Sequence, residues 1–124
     1  MAIIFCHWQI RTKGMLDKVH TQAYDLHMDI YYENNGDVFV WNDKKAASNF
    51  SRHGVTFEQA TAVFFDPNMR IVNADRNDEA RDAVIGYDNV NRLLYVVHVE
   101  MDNDVIRVIS ARKTTKKERK DHDS

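Results

Sequence analysis

Several things are scarce in this chain. It has one cysteine (Cys6), one proline (Pro67) and four glycines among 124 residues. A lone cysteine excludes an intrachain disulfide and a cysteine-built zinc cluster, and it fits a reducing cytoplasm. The sparse glycines form no phosphate-cradling loop. There is also no Gly-x-Ser-x-Gly elbow and no His-Glu-x-x-His helix. The six histidines are scattered, none beside a cysteine or acid at a familiar ligand spacing, so a mechanism without metal or cofactor is expected. No run approaches the roughly 18 apolar residues that a membrane span requires. The N-terminal segment Ala2-Ile-Ile-Phe-Cys-His-Trp8 is apolar, but it is shorter than a signal-peptide core and lacks a small-residue cleavage pattern. Together these absences predict a soluble intracellular protein.

Charge of one sign is missing overall, but not locally. The net charge is −2. Residues 105–124 carry seven Lys/Arg against three Asp/Glu, a local +4, and the preceding residues carry ten against sixteen, a local −6. Attraction to a polyanion is therefore confined to one end. An apolar share of 44% suffices for one core in one domain.

Residues 1–37 read as an N-terminal extension. Leu16, Val19, Ala23, Leu26 and Ile30 stand at helical spacing, and Met28 offers a later start. The domain itself is expected over 38–124. Val38-Phe-Val-Trp41 predicts a strand. Asn42 or Asp43 caps a helix over 44–53, and Gly54 closes it. Thr56-Phe-Glu-Gln59 is a capping box that opens a second helix, with Phe57, Ala60, Val63 and Phe64 buried and Asp66-Pro67-Asn68 ending it. Residues 69–78 read as a polar loop with at most one weak strand. Three strands follow near 80–87, 93–100 and 105–111, joined by short turns as an antiparallel meander. A basic helical tail begins near Thr114. The expected class is α+β: a small antiparallel sheet made of a strand, an αα-hairpin and a three-strand meander, with a C-terminal basic helix.

The last strand, Val105-Ile-Arg-Val-Ile-Ser-Ala-Arg112, carries Arg107 and Arg112, whose rigid forks of donors suit phosphate. Five positions separate them, so a regular strand sends them to opposite faces, and they converge only across a bulge. Glu79 and Arg81, two apart, share a face if both lie on a strand. With Arg107 they form either an ion-pair network or a site. His98, inside Leu-Leu-Tyr-Val-Val-His-Val, is a core residue or a proton carrier. Lys45, Asn49 and Arg52 or His53 share a helix face, which is either solvated or a phosphate site.

From Phe39 to Arg119 the chain resembles the BrnT family, toxins of type II toxin–antitoxin modules with a RelE-like fold. The matching stretches are Phe39-Val-Trp-Asn-Asp-Lys-Lys-Ala-Ala-Ser-Asn49, His53-Gly-Val-Thr-Phe-Glu-Gln-Ala60 and Val63-Phe-Phe-Asp-Pro67. Further on they are Glu79-x-Arg81, Ile85-Gly86, Ile106-Arg-Val-Ile-Ser-Ala-Arg112 and Glu118-Arg119. The chain departs from the family pattern at Asn42, Thr114 and His122, where Asp, Ala and Tyr are usual. Family members begin a few residues before the Trp41 pair, and residues 1–37 have no counterpart there.

The resemblance implies a bacterial, cytoplasmic ribonuclease that cleaves RNA and inhibits translation. It implies neutralisation by a BrnA-like ribbon-helix-helix antitoxin in a 2:2 complex, with DNA contacted only through that partner. It places Lys45, Asn49, His53, Glu79, Arg81, Arg107 and Arg112 in motif positions. The expected catalytic set is Glu79, Arg81, His98, Arg107 and Arg112. Lys45, Asn49, His53, Lys113, Lys116, Lys117 and Arg119 are expected to bind RNA, with Lys120 alongside them. The rival reading is a non-catalytic protein that binds an antitoxin or nucleic acid through the same basic surface.

Overall fold

The computed structural model describes Ala2–Ile3 and residues 28–123. One sheet runs through the domain, with strands Ala2–Ile3 (β1), Asp29–Asn34 (β2), Asp37–Asn42 (β3), Arg70–Asn73 (β4), Asp82–Tyr87 (β5), Leu93–Glu100 (β6) and Val105–Lys113 (β7). The strand order is β1-β2-β3-β7-β6-β5-β4. Helices span Asp43–His53 (α1), Phe57–Thr61 (α2) and Lys116–Asp123 (α3), and a 3₁₀ turn at Ala62–Phe65 extends α2.

The expected α+β class stands, with two corrections. The sheet is mixed, because β3 runs parallel to β7, pairing Val38, Phe39 and Val40 with Val105, Ile106 and Arg107. The chain reaches β7 from β3 only through α1, α2 and the meander, which allows a parallel return. The second correction is β2, which lies inside the stretch read as an extension. It pairs along its whole length with β3, and Ile30 and Tyr32 pack against the core. β2 therefore belongs to the same sheet as the strands expected from 38 onward. Its turn, Asn35-Gly36, has positive φ at both residues, the backbone that an Asn-Gly hairpin adopts. The helical spacing seen from Leu16 lies outside the described residues, except for Ile30, which is in this strand.

The caps are where the local sequence placed them. The Asn42 side chain accepts from the Lys45 N–H, and Gly54 at φ 71 closes α1. The Thr56–Gln59 capping box is present in both directions. Phe57, Ala60 and Val63 press on Phe39, Trp41, Val84, Leu94, Val96 and Val108, so one sheet face is covered by α2 and the 3₁₀ turn. Trp41 and Phe57 meet edge to face at 5.6 Å. Gly86 is needed for this packing: a Cβ there would stand 3.0 Å from the Val63 carbonyl and 3.1 Å from the Met69 Cβ.

Candidate functional site

Beyond Arg107, β3 no longer pairs with β7, and the freed edge of β7 is occupied by α1. Asn49 makes the junction. Its Nδ2 donates to the carbonyls of Val55 (3.0 Å) and Ala111 (2.9 Å), and the Ala111 N–H donates to its Oδ1 (3.1 Å). The amide thus takes the place of a neighbouring strand, satisfying a backbone donor and acceptor that burial would otherwise leave unpaired. Asn49 was expected to touch RNA, but its amide is used in holding α1 to β7.

The junction leaves a hollow of about 230 Å³. Lys45, Ser48, Arg52 and His53 line it from α1, and Ile109 and Ser110 from β7. Lys45, Ser48 and Arg52 follow one another at i, i+3 and i+7, the spacing of one helix face. Among the described residues no ion pair engages Lys45, Arg52 or His53, whereas Arg81, Arg92, Arg107 and Arg112 each face a carboxylate. Three cationic or titratable groups and two hydroxyls, with no acid in the lining, make a surface complementary to phosphate.

The two strand arginines flank this hollow. The β6–β7 register slips by one residue: Val97 faces Ser110, His98 faces Val108, and Ile109 is extra. The bulge restores the face lost by the odd spacing. Arg107 opposite Val99, Ser110 opposite Val97 and Arg112 opposite Tyr95 therefore project from one side of the sheet. Arg107 pairs with Asp29 of β2 at 2.9 Å. Arg112 lies 4.1 Å over the Tyr95 ring and holds both oxygens of Glu118, at 2.9 and 3.0 Å. That bond keeps the Glu118 carboxyl below its usual range and raises the Arg112 guanidinium. Glu118 also closes a capping box with Thr115 at the start of α3. Arg70 donates to the Asp121 carbonyl at 2.8 Å, a second anchor for that helix. Lys116, Arg119 and Lys120 line an open depression along α3. Lys113 ends β7 and Lys117 lies on α3, both exposed.

Glu79, Arg81 and His98 lie elsewhere. The strand expected from Ala80 starts at Asp82, so Glu79 and Arg81 sit in the preceding loop. They form a 2.6 Å ion pair, and the Arg81 N–H donates to Asp75 Oδ1 at 2.9 Å. With Asn73, Asp82, His98 and Glu100, Arg81 lines a hollow of about 400 Å³. Arg107 is not among its lining residues. The expected gathering of Glu79, Arg81 and Arg107 around one acid is thus replaced by separate pairs, because Asp29, on the unforeseen β2, supplies Arg107 with its own carboxylate. His98 is 3% exposed, its Nδ1 has no hydrogen-bond partner, and its ring meets Phe64 edge to face at 5.0 Å. Burial pulls its pKa below the ordinary value, opposed by the Val96 carbonyl and the carboxylates of Asp82 and Glu100.

The sequence reading passed over Asp88 and Arg92. Buried Asp88 accepts from the N–H groups of Val90 and Arg92 and from Arg92 Nε. Arg92 also reaches the Gly54 carbonyl and Gln59, tying the β5–β6 turn to the α1–α2 corner. The Asp-Asn-Val-Asn-Arg turn composition was the available signal. No group of three or more His, Cys, Asp or Glu among the described residues is placed to hold a metal, and no helix among them is long and apolar enough to cross a membrane.

Residues 41–118 match the family described as the ribonuclease toxin, BrnT, of type II toxin–antitoxin systems. Among solved structures, the 1.1 Å crystal structure of the Brucella abortus ribonuclease toxin BrnT is similar at 20% identity, with a TM-score of 0.49, covering 61% of this chain and 94% of that one. No curated protein matches. The matched stretch holds β7, both hollows and every capping box described above, and this chain belongs to the BrnT family of ribonuclease toxins of type II toxin–antitoxin systems.

Proposed function

We propose that this chain is a metal-independent endoribonuclease with a RelE-like fold that cleaves RNA in the bacterial cytoplasm and so inhibits translation. Its cognate antitoxin is a BrnA-like ribbon-helix-helix protein in a 2:2 complex, and DNA contact belongs to that partner. The observation that carries the catalytic reading is the hollow between α1 and β7, where Lys45, Arg52 and His53 have no ion-pair partner and Arg107 and Arg112 stand on the same sheet face as Ser110.

In this reading the RNA backbone follows β7. Lys45 and Arg52 neutralise flanking phosphates, and the hydroxyls of Ser48 and Ser110 donate to phosphate oxygens. The 2′-hydroxyl oxygen attacks the adjacent phosphorus and the bond to the 5′-oxygen breaks, leaving a 2′,3′-cyclic phosphate and a 5′-hydroxyl. His53 takes the 2′-hydroxyl proton on an imidazole nitrogen, and water protonates the departing oxygen. One of the two strand arginines, Arg107 or Arg112, stabilises charge growing on the phosphoryl oxygens, an effect worth roughly 2.7–4 kcal/mol per donor removed, and the other holds a neighbouring phosphate. Asp29 and Glu118 hold the two guanidiniums in place beforehand. Lys113, Lys116, Lys117, Arg119 and Lys120 extend the backbone track onto α3.

Purified protein incubated with RNA in the presence of a chelator tests this reading. Cleavage is expected from the native chain, with a large loss in Lys45→Ala/Arg52→Ala and in His53→Ala after circular dichroism confirms folding. Equal cleavage by native and variant proteins identifies a contaminating nuclease and leaves the non-catalytic, partner-binding reading in its place.

A further inference from the structure

The hollow at the lower end of β5 and β6 lies outside the phosphate track, and its chemistry is different. Its lining includes the carboxylates of Asp82 and Glu100, and no hydrogen bond or ion pair among the described residues engages either one. Register places Asp82 directly across from His98, and Glu100 two residues beyond His98 on the same face. His98 is almost wholly buried, with an Nδ1 that has found no partner, an unusual state for a buried polar atom. Arg81 enters from the loop side, held by Glu79 at 2.6 Å. One guanidinium, the carboxylate of Asp75 that accepts from the Arg81 N–H, and the carboxylates of Asp82 and Glu100 therefore surround about 400 Å³ of space beside a buried imidazole.

This hollow is close to the phosphate track. Val99 lines it and is the cross-strand partner of Arg107. Two residues after Arg107, Ile109 lines the α1–β7 hollow. One strand spacing sideways and two residues along the strand make roughly 8 Å along the backbone. Asp82, His98 and Glu100, however, project from the sheet face opposite Val99 and Arg107. An RNA strand therefore reaches both sites only by passing round the end of β5 and β6.

We infer that the hollow formed by Arg81, Asp82, His98 and Glu100 is a guanine-binding pocket that selects a base near the cleaved phosphate, where the strand rounds the sheet end. Guanine presents two adjacent N–H donors, N1 and N2, on its Watson–Crick edge, which suit a carboxylate. Its O6 and N7 acceptors suit an arginine fork. Adenine and cytosine each offer a single amino group there and uracil one ring N–H, so none of them matches both halves of the lining. Single-stranded RNA is commonly read in this way, by hydrogen bonds to the edges of unstacked bases. Glu79 is then a positioning residue for Arg81. The inference rests on the ribonuclease reading for its biological meaning, but the pocket itself is testable by binding alone.

Two measurements test it. The first titrates the full chain with short oligonucleotides that lack 2′-hydroxyls, and so resist cleavage, containing guanine or hypoxanthine (which lacks the N2 amine) at one position. The guanine oligonucleotide is expected to shift the His98 ring resonances and to bind about tenfold or more tightly. Asp82→Asn and Glu100→Gln, both surface changes, are expected to remove the difference by weakening guanine binding more than hypoxanthine binding, which keeps only the N1–H donor. Equal binding of the two bases by the native chain overturns the pocket, as does a preference that survives in both variants. The second measures kcat/KM on matched ribonucleotide substrates, where cleavage is expected beside guanine. Guanine-selective binding without any cleavage supports the pocket and removes the ribonuclease reading; cleavage indifferent to the base does the reverse.

Discussion

Arg107 and Arg112 project from the same face of β7 although five positions separate them, because Ile109 is an extra residue in the ladder. Their partners on β6, Val99 and Tyr95, are four residues apart, so the two guanidinium stems are roughly 13 Å from each other. Each is held by its own carboxylate, Asp29 for Arg107 and Glu118 for Arg112.

Replacing Arg112 by Lys keeps the charge and removes the fork. The two bonds to Glu118 and the stack on Tyr95 are lost together, since an ammonium matches neither geometry. The expected result is a loss of about 1 kcal/mol, concentrated in α3, whose described residues include none that is buried. Amide exchange should quicken over residues 116–123 and stay unchanged in β6. Unchanged exchange in α3 would show that Arg70 alone anchors the helix.

Asn49→Ala strands a buried backbone donor and acceptor of Ala111 and a carbonyl of Val55. An unsatisfied buried group costs about 1–3 kcal/mol, so the variant should lose at least 2–3 kcal/mol in urea unfolding. Asn49→Asp should be no milder, because its carboxylate meets two carbonyl oxygens. A loss below about 0.5 kcal/mol would mean that water replaces the amide.

Gly86→Ala places a methyl group against the Val63 carbonyl and the Met69 Cβ. Two backbone segments must move apart to admit it, and overpacking of this kind costs about 1–3 kcal/mol. Thermal unfolding measures it, and a melting temperature at or above that of the native chain rejects the close approach.

Two groups predict acid sensitivity. Burial lowers the pKa of His98 from 6.5, so below pH 6.5 the unfolded chain takes up a proton that the folded chain refuses. That contribution is fully present above pH 6.5 and is lost as pH falls toward the folded value. The bond to Arg112 lowers Glu118 from 4.5, so its stabilisation is present above pH 4.5 and is lost as pH falls through the folded value. Stability should therefore decline in two stages on acidification. His98→Phe should flatten the stage that begins at 6.5, and Glu118→Gln the one that begins at 4.5. Identical pH profiles for the native chain and His98→Phe would show that the imidazole titrates freely.

Binding to an uncleavable RNA analogue should weaken linearly with the logarithm of salt concentration. Removing one phosphate-contacting cation from a single-strand track reduces that slope by about 0.7. Lys45→Ala and Arg52→Ala should each do so, and Arg92→Ala, whose guanidinium is committed to Asp88, should not. Equal slopes in all of these proteins would take the α1–β7 hollow out of the RNA track.

Much of this molecule was written locally. Asn42, Gly54 and the Thr56–Gln59 box delimit the first two helices because each cap depends on residues three or four apart, and the alternating apolar residues of β5, β6 and β7 made the meander legible. Even β2 left a signal in Asn35-Gly36, a hairpin turn that the polar surroundings of that segment obscured. The family motifs, read in order, carried the kinship. Tertiary structure decided what local spacing does not encode: that β7 lies parallel to β3, that Ile109 is the unpaired residue, and that Arg107 meets Asp29 and not Glu79. These outcomes depend on which strand edge is left vacant and which carboxylate arrives beside it, and the groups concerned lie up to 78 positions apart. Helix caps and strand periods are short-range physics. A site assembled between distant segments is settled only when the whole sheet closes on one register.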